Sequence, residues 1–140
     1  MVKVLFVCIH NSARSQIAEA LLKKYGGDHF NVQSAGLQPG LLNPLAVEIL
    51  KEEDIDIAGK ETQSVFDLFK DGKLFNYVIT VCDEGNSQRC PIFPGQTKRI
   101  HWSFEDPSTF QGDHEAQLAK IRHVKEEIKI AVLAFIAQTA

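Results

Sequence analysis

Val4-Leu5-Phe6-Val7 is an unbroken apolar run that stops at Cys8 and gives way to a short polar stretch before a helical rhythm begins. A run of this kind reads as a strand buried on both faces, here over 2–7. Ile17, Ala18, Leu21, Leu22 and Tyr25 then recur at helical spacing, which predicts a helix over 15–25 stopped by Gly26-Gly27-Asp28. Residues 30–34 alternate as a second strand does. Asn43-Pro44 pairs an N-cap with a first-turn proline, and Leu45, Ile49 and Leu50 form the buried stripe of a helix running to about residue 53. A brief extended connection over 54–57 follows. Thr62 is expected to cap a shorter helix carrying Val65, Phe66, Leu68 and Phe69. Residues 75–81 form the third strand, apolar enough for a central parallel position, and residues 98–102 a fourth. The last helix, over 113–138, is the longest, its covered side traced by Leu118, Ile121, Val124, Ile128, Val132 and Phe135.

Strands alternating with helices predict a single α/β domain over 1–140 in three layers, with right-handed crossovers placing helices on both faces. In open parallel sheets the binding crevice lies beyond the carboxyl ends of the strands. Cys8 ends the first strand and Cys82 the third, so both fall on that edge. A chain of 140 residues has room for one sizeable core. Fifteen basic against eighteen acidic side chains leave no basic field, which argues against nucleic acid as a partner. No apolar stretch approaches the roughly 20 residues of a membrane span, and the N-terminus enters a strand without the pattern of a secretory signal. A cytoplasmic monomer without membrane association is the expectation.

Five residues separate Cys8 from Arg14. That spacing suits a loop wrapped around a tetrahedral oxyanion, with backbone N–H groups of Ile9, His10, Asn11, Ser12 and Ala13 pointing inward and the first turn of the helix closing the bottom. Arg14 would grip two oxygens in a planar fork. A cysteine of ordinary pKa, about 8.5, is roughly 3% thiolate at pH 7, while one brought to about 6 at a helix N-terminus is roughly 90% thiolate. The Ser15 hydroxyl is placed to stabilise such a charge or to cap the helix. The plain alternative is a core cysteine closing a strand. A Walker-type loop is excluded, since no glycine lies between Cys8 and Arg14 and no Gly-Lys-Ser or Gly-Lys-Thr follows. The three cysteines, Cys8, Cys82 and Cys90, do not form a disulfide framework, and in a reducing compartment they point to transient thiol chemistry, metal binding or nothing. Zinc is poorly supported: the Cys82–Cys90 interval exceeds the usual knuckle, and His101 and His114 supply no companion pair. No metal is assigned.

Cys8-Ile9-His10-Asn11-Ser12-Ala13-Arg14-Ser15-Gln16 resembles the active loop of low-molecular-weight protein tyrosine phosphatases and of the thioredoxin-coupled arsenate reductases built on that fold. Ser34-Ala35-Gly36, Leu42-Asn43-Pro44 and Trp102-Ser103-Phe104-Glu105-Asp106-Pro107 also fit the reductase pattern. The resemblance implies a three-layer α/β/α sandwich with a four-stranded parallel sheet, no bound cofactor, and thioredoxin as external reductant. It implies Cys8 as nucleophile, Cys82 as first resolving thiol, Cys90 as final thiol, and a redox-active Cys82–Cys90 disulfide. Arg14 matches the oxyanion-binding arginine, Asn11 the residue holding the loop in shape, Ser15 the thiolate-supporting hydroxyl and Asp106 a general acid. The reaction implied is reduction of arsenate to arsenite.

The departures are specific. His10 stands where many relatives have glycine, and polar loop packing is as good a reading of it as proton transfer. Ala13 stands where many have a cysteine outside the relay, and the Cys82–Cys90 interval is one residue longer than in some reductases. Some relatives hold a potassium ion with residues matching Asn11, Glu19, Ser34 and Thr62 plus an aspartate; Ser64 takes that last position, so the ion is not assigned. Asp106 before Pro107 also reads as a turn former. Trp102 and Phe104 read as packing support for the Asp106 loop. Phosphate and arsenate share shape and charge, so the loop alone cannot choose between them; Cys82 and Cys90 make that choice for the reductase. The alternatives are a phosphatase acting on phosphotyrosine or a small phosphate ester, and an oxyanion-binding redox sensor without turnover.

Overall fold

The computed structural model describes residues 1–82 and 88–139. Its strands are β1 (Val2–Cys8), β2 (Phe30–Gly36), β3 (Tyr77–Thr80) and β4 (Lys98–His101), and its helices are α1 (Arg14–Gly26), α2 (Pro44–Lys51), α3 (Val65–Lys70) and α4 (His114–Thr139). All strand pairings are parallel and the order across the sheet is β2-β1-β3-β4. The chain steps from β1 to β2 on one side and then crosses to β3 on the other. The crevice at the switch point therefore opens beyond Cys8.

The pleat of β1 divides the core in two. Val4, Phe6 and Cys8 face one cluster, shared with Ile17, Leu21 and Leu22 of α1, Leu45, Ile49 and Leu50 of α2, and Ile121, Val124, Ile128 and Val132 of α4. Leu5 and Val7 face a second, smaller cluster containing Val65 and Leu68 of α3 with Phe75, Val78, Cys90 and Phe93. Both faces of β1 are thus covered, which is why its sequence is continuously apolar. Burying each such side chain contributes about 1.5–3 kcal/mol. Trp102 packs among Phe6, Phe104 and Phe135, at ring-centroid distances of 5.9, 6.4 and 6.2 Å, and so fixes the chain leading to Asp106.

The predicted elements are all present, with shifted ends. Asn43 caps α2 by accepting from the Leu45 N–H at 2.9 Å, and Pro44 is its first residue. That helix stops at Lys51, where Asp54 takes a left-handed φ of 59° and the Ile55 N–H returns to the Leu50 carbonyl. The cap of α3 is Ser64 rather than Thr62: Ser64 Oγ accepts from the Phe66 N–H at 3.1 Å, while the Thr62 hydroxyl donates to the Gly40 carbonyl. The third strand is shorter than the apolar run because Phe75 turns into the second cluster, its carbonyl accepting from the Thr97 hydroxyl. No helix among the described residues is long and apolar enough to cross a membrane.

Candidate active site

The loop from Cys8 to Ala13 is held from outside. The carbonyls of Cys8, Ile9, His10 and Ser12 accept the N–H groups of Leu37, Gln38, Gly40 and Asn43 at 3.1, 2.7, 2.9 and 2.9 Å. The Asn11 carbonyl accepts from Gln16 Nε2 at 3.0 Å, and the Ala13 carbonyl from the Ile17 N–H at 2.8 Å. Every carbonyl of the loop therefore points outward, and because a trans peptide sets N–H opposite C=O, the N–H groups that follow are turned inward. Asn11 makes the sharp bend with φ of 55°, a conformation asparagine tolerates better than most residues. Gly36, paired with Cys8 across the sheet, lets the loop approach: a Cβ there would lie 2.8 Å from Asn11 N, His10 C and Ile9 O. Ala13 gives α1 no side-chain cap, so the first-turn donors are left to face the nest.

The hydrogen-bond directions around the sulfur follow from one fixed amide. Asn11 Oδ1 accepts from the Gln63 N–H at 3.0 Å, which fixes the amide orientation. Its two Nδ2 hydrogens then go to Ser15 Oγ at 2.8 Å and Ser34 Oγ at 2.9 Å. Ser34 donates its own hydrogen to Glu19 Oε1 at 2.6 Å. Ser15 has accepted from Asn11, so its hydrogen is left for Cys8 Sγ, 2.9 Å away, and the Asn11 N–H points at the same sulfur from 3.2 Å. Two donors converge on a buried sulfur atom, the arrangement that a thiolate requires. Ser15 thus faces the Cys8 sulfur and does not cap the helix.

Arg14 is buried at the start of α1 and faces the 104–106 loop. Its Nη1 donates to the Phe104 carbonyl at 3.2 Å, and Nη2 lies 3.6 Å from Asp106 Oδ2. Asp106 is also the turn former, its Oδ1 accepting from the Ser108 N–H at 2.9 Å as it caps the short 3₁₀ turn Pro107–Thr109. One carboxylate oxygen shapes the loop while the other faces the guanidinium. His10 is exposed, with Nδ1 at 2.9 Å from the Gln38 carbonyl, so its ring packs on the rim. His101 is likewise exposed and pairs with the Thr80 hydroxyl at 2.8 Å.

The cysteines divide between the two cores. Cys8 and Cys82 belong to the first cluster and Cys90 to the second, on the opposite face of the sheet. None is in a disulfide among the described residues. Burial pushes the Cys90 thiol up to about 11, with the Arg99 charge pulling weakly the other way. Of the segment that joins Cys82 to Cys90, residues 83–87 lie outside the described residues. Among the described residues, no group of three or more His, Cys, Asp or Glu converges as a metal site would.

The family of low molecular weight phosphotyrosine protein phosphatases matches residues 3–139. The arsenate reductase of Bacillus subtilis (strain 168) is 39% identical over 126 residues, spanning 89% of this chain and 88% of that protein. The chain belongs to this phosphatase family and to the arsenate reductases within it. A solved arsenate reductase in its oxidised state superposes with a TM-score of 0.82 at 30% identity over the whole of both chains. The thioredoxin-dependent arsenate reductase of Corynebacterium glutamicum superposes with a TM-score of 0.71 at 29% identity, over all of this chain and 63% of that one.

The family resemblance named Asn11, Glu19 and Ser34 together, and the fold does gather them. What sequence reasoning missed are the residues that complete the arrangement: Gln16 and Gln63, which brace Asn11, and Lys60 and Lys23, whose ammoniums both meet Glu19 Oε2 at 2.5 Å. Only Lys23, four residues from Glu19 on α1, carried a local signal. The potassium set does not fit this chain. Glu19 is saturated by Ser34 and two lysines, and the hydroxyls of Thr62 and Ser64 serve Gly40 and the α3 cap.

Proposed function

We propose that this chain reduces arsenate to arsenite through Cys8, Cys82 and Cys90, with electrons from a thioredoxin-type dithiol, as a monomeric single domain in the cytoplasm. The carrying observation is the convergence of the Ser15 hydroxyl and Asn11 N–H on Cys8 Sγ inside a loop whose carbonyls all face away. Arsenate binds the inward N–H groups of Ile9 to Ser15, with Arg14 turning from Phe104 to its oxygens. The Cys8 thiolate forms a sulfur–arsenic bond and displaces one arsenate hydroxyl, which takes a proton from Asp106 and leaves as water.

Cys82 then attacks the Cys8 sulfur. A disulfide forms, the sulfur–arsenic bond breaks, and its electron pair stays on arsenic, which falls from the +5 to the +3 state and departs as arsenite. Cys90 attacks Cys82, which releases Cys8 and leaves the Cys82–Cys90 disulfide for the external dithiol to reduce by exchange. A thiol held at about 11 is almost wholly protonated at neutral pH, so Cys90 acts only after leaving its apolar core. Cys82 shares a cluster with Cys8, which supports its acting first.

The test is arsenite formation from arsenate with thioredoxin and its reductase. Wild type should turn over continuously, Cys8→Ser and Cys82→Ser should form no arsenite, and Cys90→Ser should stop after one arsenite per chain. Hydrolysis of phosphate esters dependent on Cys8 alone, with no arsenite from the reduced folded protein, would make it a phosphatase.

A further inference from the structure

The hydrogen-bond chain ending at Cys8 has a direction, and the direction depends on Glu19. Ser34 Oγ accepts from Asn11 and donates its own hydrogen to Glu19, so the carboxylate fixes which way that hydroxyl points. A carboxylate that swung away would leave that hydroxyl free to rotate, and Asn11 would lose a fixed partner. Glu19 is 2% exposed, and two ammoniums stand against its Oε2. Lys60 is the more buried of its two lysines, with 31% of its side chain exposed against 54% for Lys23. Lys60 comes from the 58–62 segment, far from α1 in sequence, and lines with Glu19 an open cleft of about 720 Å3. The same cleft is lined by Gln16, whose buried Oε1 has no hydrogen-bond partner.

We propose that Lys60 is a positioning residue for the oxyanion loop, a built-in cation that holds the Glu19 carboxylate so that Ser34 and Asn11 keep Ser15 and Cys8 in register. It touches neither substrate nor sulfur, and acts through four hydrogen-bonded groups. Removing its charge leaves a buried carboxylate short of compensation at the floor of a cleft open to solvent. A small inorganic cation can then enter and take the place of the ammonium against Glu19. The wild-type loop should therefore be indifferent to the cation in the buffer, and a chain lacking the Lys60 charge should not be.

This inference rests on reading the Cys8 loop as an oxyanion cradle, so its test measures phosphate binding and not turnover. Phosphate affinity would be measured by calorimetry in potassium chloride and in tetramethylammonium chloride at equal ionic strength, for wild type, Lys60→Met, Lys60→Arg and Glu19→Gln/Lys60→Met. Wild type and Lys60→Arg should bind equally in both salts. Lys60→Met should bind about tenfold more weakly in tetramethylammonium, the partial loss expected while Lys23 remains, and recover to within about twofold in potassium. The double variant, with no charge to compensate, should show no potassium effect. Lys60→Met binding as wild type in tetramethylammonium, or weakened alike in both salts, would overturn the proposal, as would potassium rescue of the double variant. Wild type that binds no phosphate in either salt would instead overturn the cradle itself.

Discussion

Cys8 and Cys90 are buried to the same degree, at 2% and 3% exposure, yet their surroundings are opposite. Cys8 lies at the end of a strand among donors: the Ser15 hydroxyl, the Asn11 N–H and the inward face of the loop. Cys90 lies among carbon, in a cluster of Leu37, Val65, Leu68, Val78 and Phe93, and its thiol donates to the Pro91 carbonyl at 3.7 Å, an acceptor that favours the protonated thiol. Solvent exclusion is common to both, so it cannot decide which sulfur is a nucleophile. The hydrogens aimed at the sulfur decide it.

The polar side breaks most severely at Asn11. Asn11→Ala removes partners from Ser15, Ser34 and the Gln63 N–H at once and puts a poor residue at a φ of 55°. We expect a loss of about 3 kcal/mol in stability and of roughly a hundredfold or more in arsenate turnover. Asn11→Gly relieves the backbone and restores none of the hydrogen bonds. Chemical denaturation and steady-state kinetics on the pair separate the two causes. Recovery of turnover by the glycine variant would show that the bend, and not the hydrogen bonds, makes the site.

The apolar side breaks at Phe93. Its ring packs edge-on against Phe69 and Phe75, at 5.6 and 5.4 Å, over the core that holds Cys90. Phe93→Ala should cost about 3 kcal/mol through the cavity it leaves. The more telling readout is alkylation at pH 7 followed by peptide mapping. In wild type Cys8 should react first and Cys90 last, since a thiol near 11 is only about one part in ten thousand ionised there. The variant should speed Cys90 at least about tenfold and leave the Cys8 rate unchanged. Equal acceleration of both thiols would mean that the two cores open together.

A buried carboxylate far from the loop sharpens the point that partners outweigh burial. Glu53 follows α2, and burial would raise its pKa, but the Tyr25 hydroxyl at 2.7 Å and the Lys125 and Lys129 ammoniums, each at 3.1 Å, hold it at about 2 against the ordinary 4.5. With the folded value depressed, the stability it contributes is fully present above pH 4.5 and is lost as pH falls toward 2. Glu53→Gln should lower stability at pH 7 by about 2 kcal/mol and flatten the acid limb of the stability curve between those values. Thermal melts across pH 2–7 give the answer, and an acid limb of unchanged slope would move the linkage to other carboxylates.

The parts legible in the sequence and the parts that were not differ in the same way. The run ending at Cys8, the helical stripe of α1 and the Asn43-Pro44 cap are local patterns, and each element stands where its pattern put it. The sheet edge could be inferred because a parallel α/β order places strand ends together, which is how Cys8 and Cys82 came to one core. Lys60 carried no such signal. A lysine between a turn and a strand-like segment is indistinguishable from a solvated one until the fold sets it beside a carboxylate 41 residues away. The separation of Cys90 from the other cysteines was equally hidden, because the apolar face that receives it is assembled from β1, β3 and α3. The Thr62 cap failed on a finer scale: Thr62 and Ser64 are both good caps, and the contact of Thr62 with Gly40 in the loop flank decided which was left for α3.

That choice supplies the smallest of the expected effects and the cleanest separation of the two sulfurs. Ser64 is the N-cap of α3, whose Val65 and Leu68 cover the face of the sheet that holds Cys90. A bridge between Gly36 and Ser64 also ties the cap to the strand end beneath the Cys8 loop. Ser64→Ala deletes the bond to the Phe66 N–H and should cost about 1 kcal/mol. A six-residue helix has little propensity of its own, so the loss should appear as local opening of α3. Hydrogen exchange should quicken in Val65–Lys70, and Cys90 alkylation should rise a few-fold with it, while phosphate affinity at the Cys8 loop stays within about twofold of wild type. Weaker phosphate binding on the same scale as the Cys90 effect would show that the Gly36–Ser64 bridge couples the two sites, and that the polar and apolar sulfurs open as one unit.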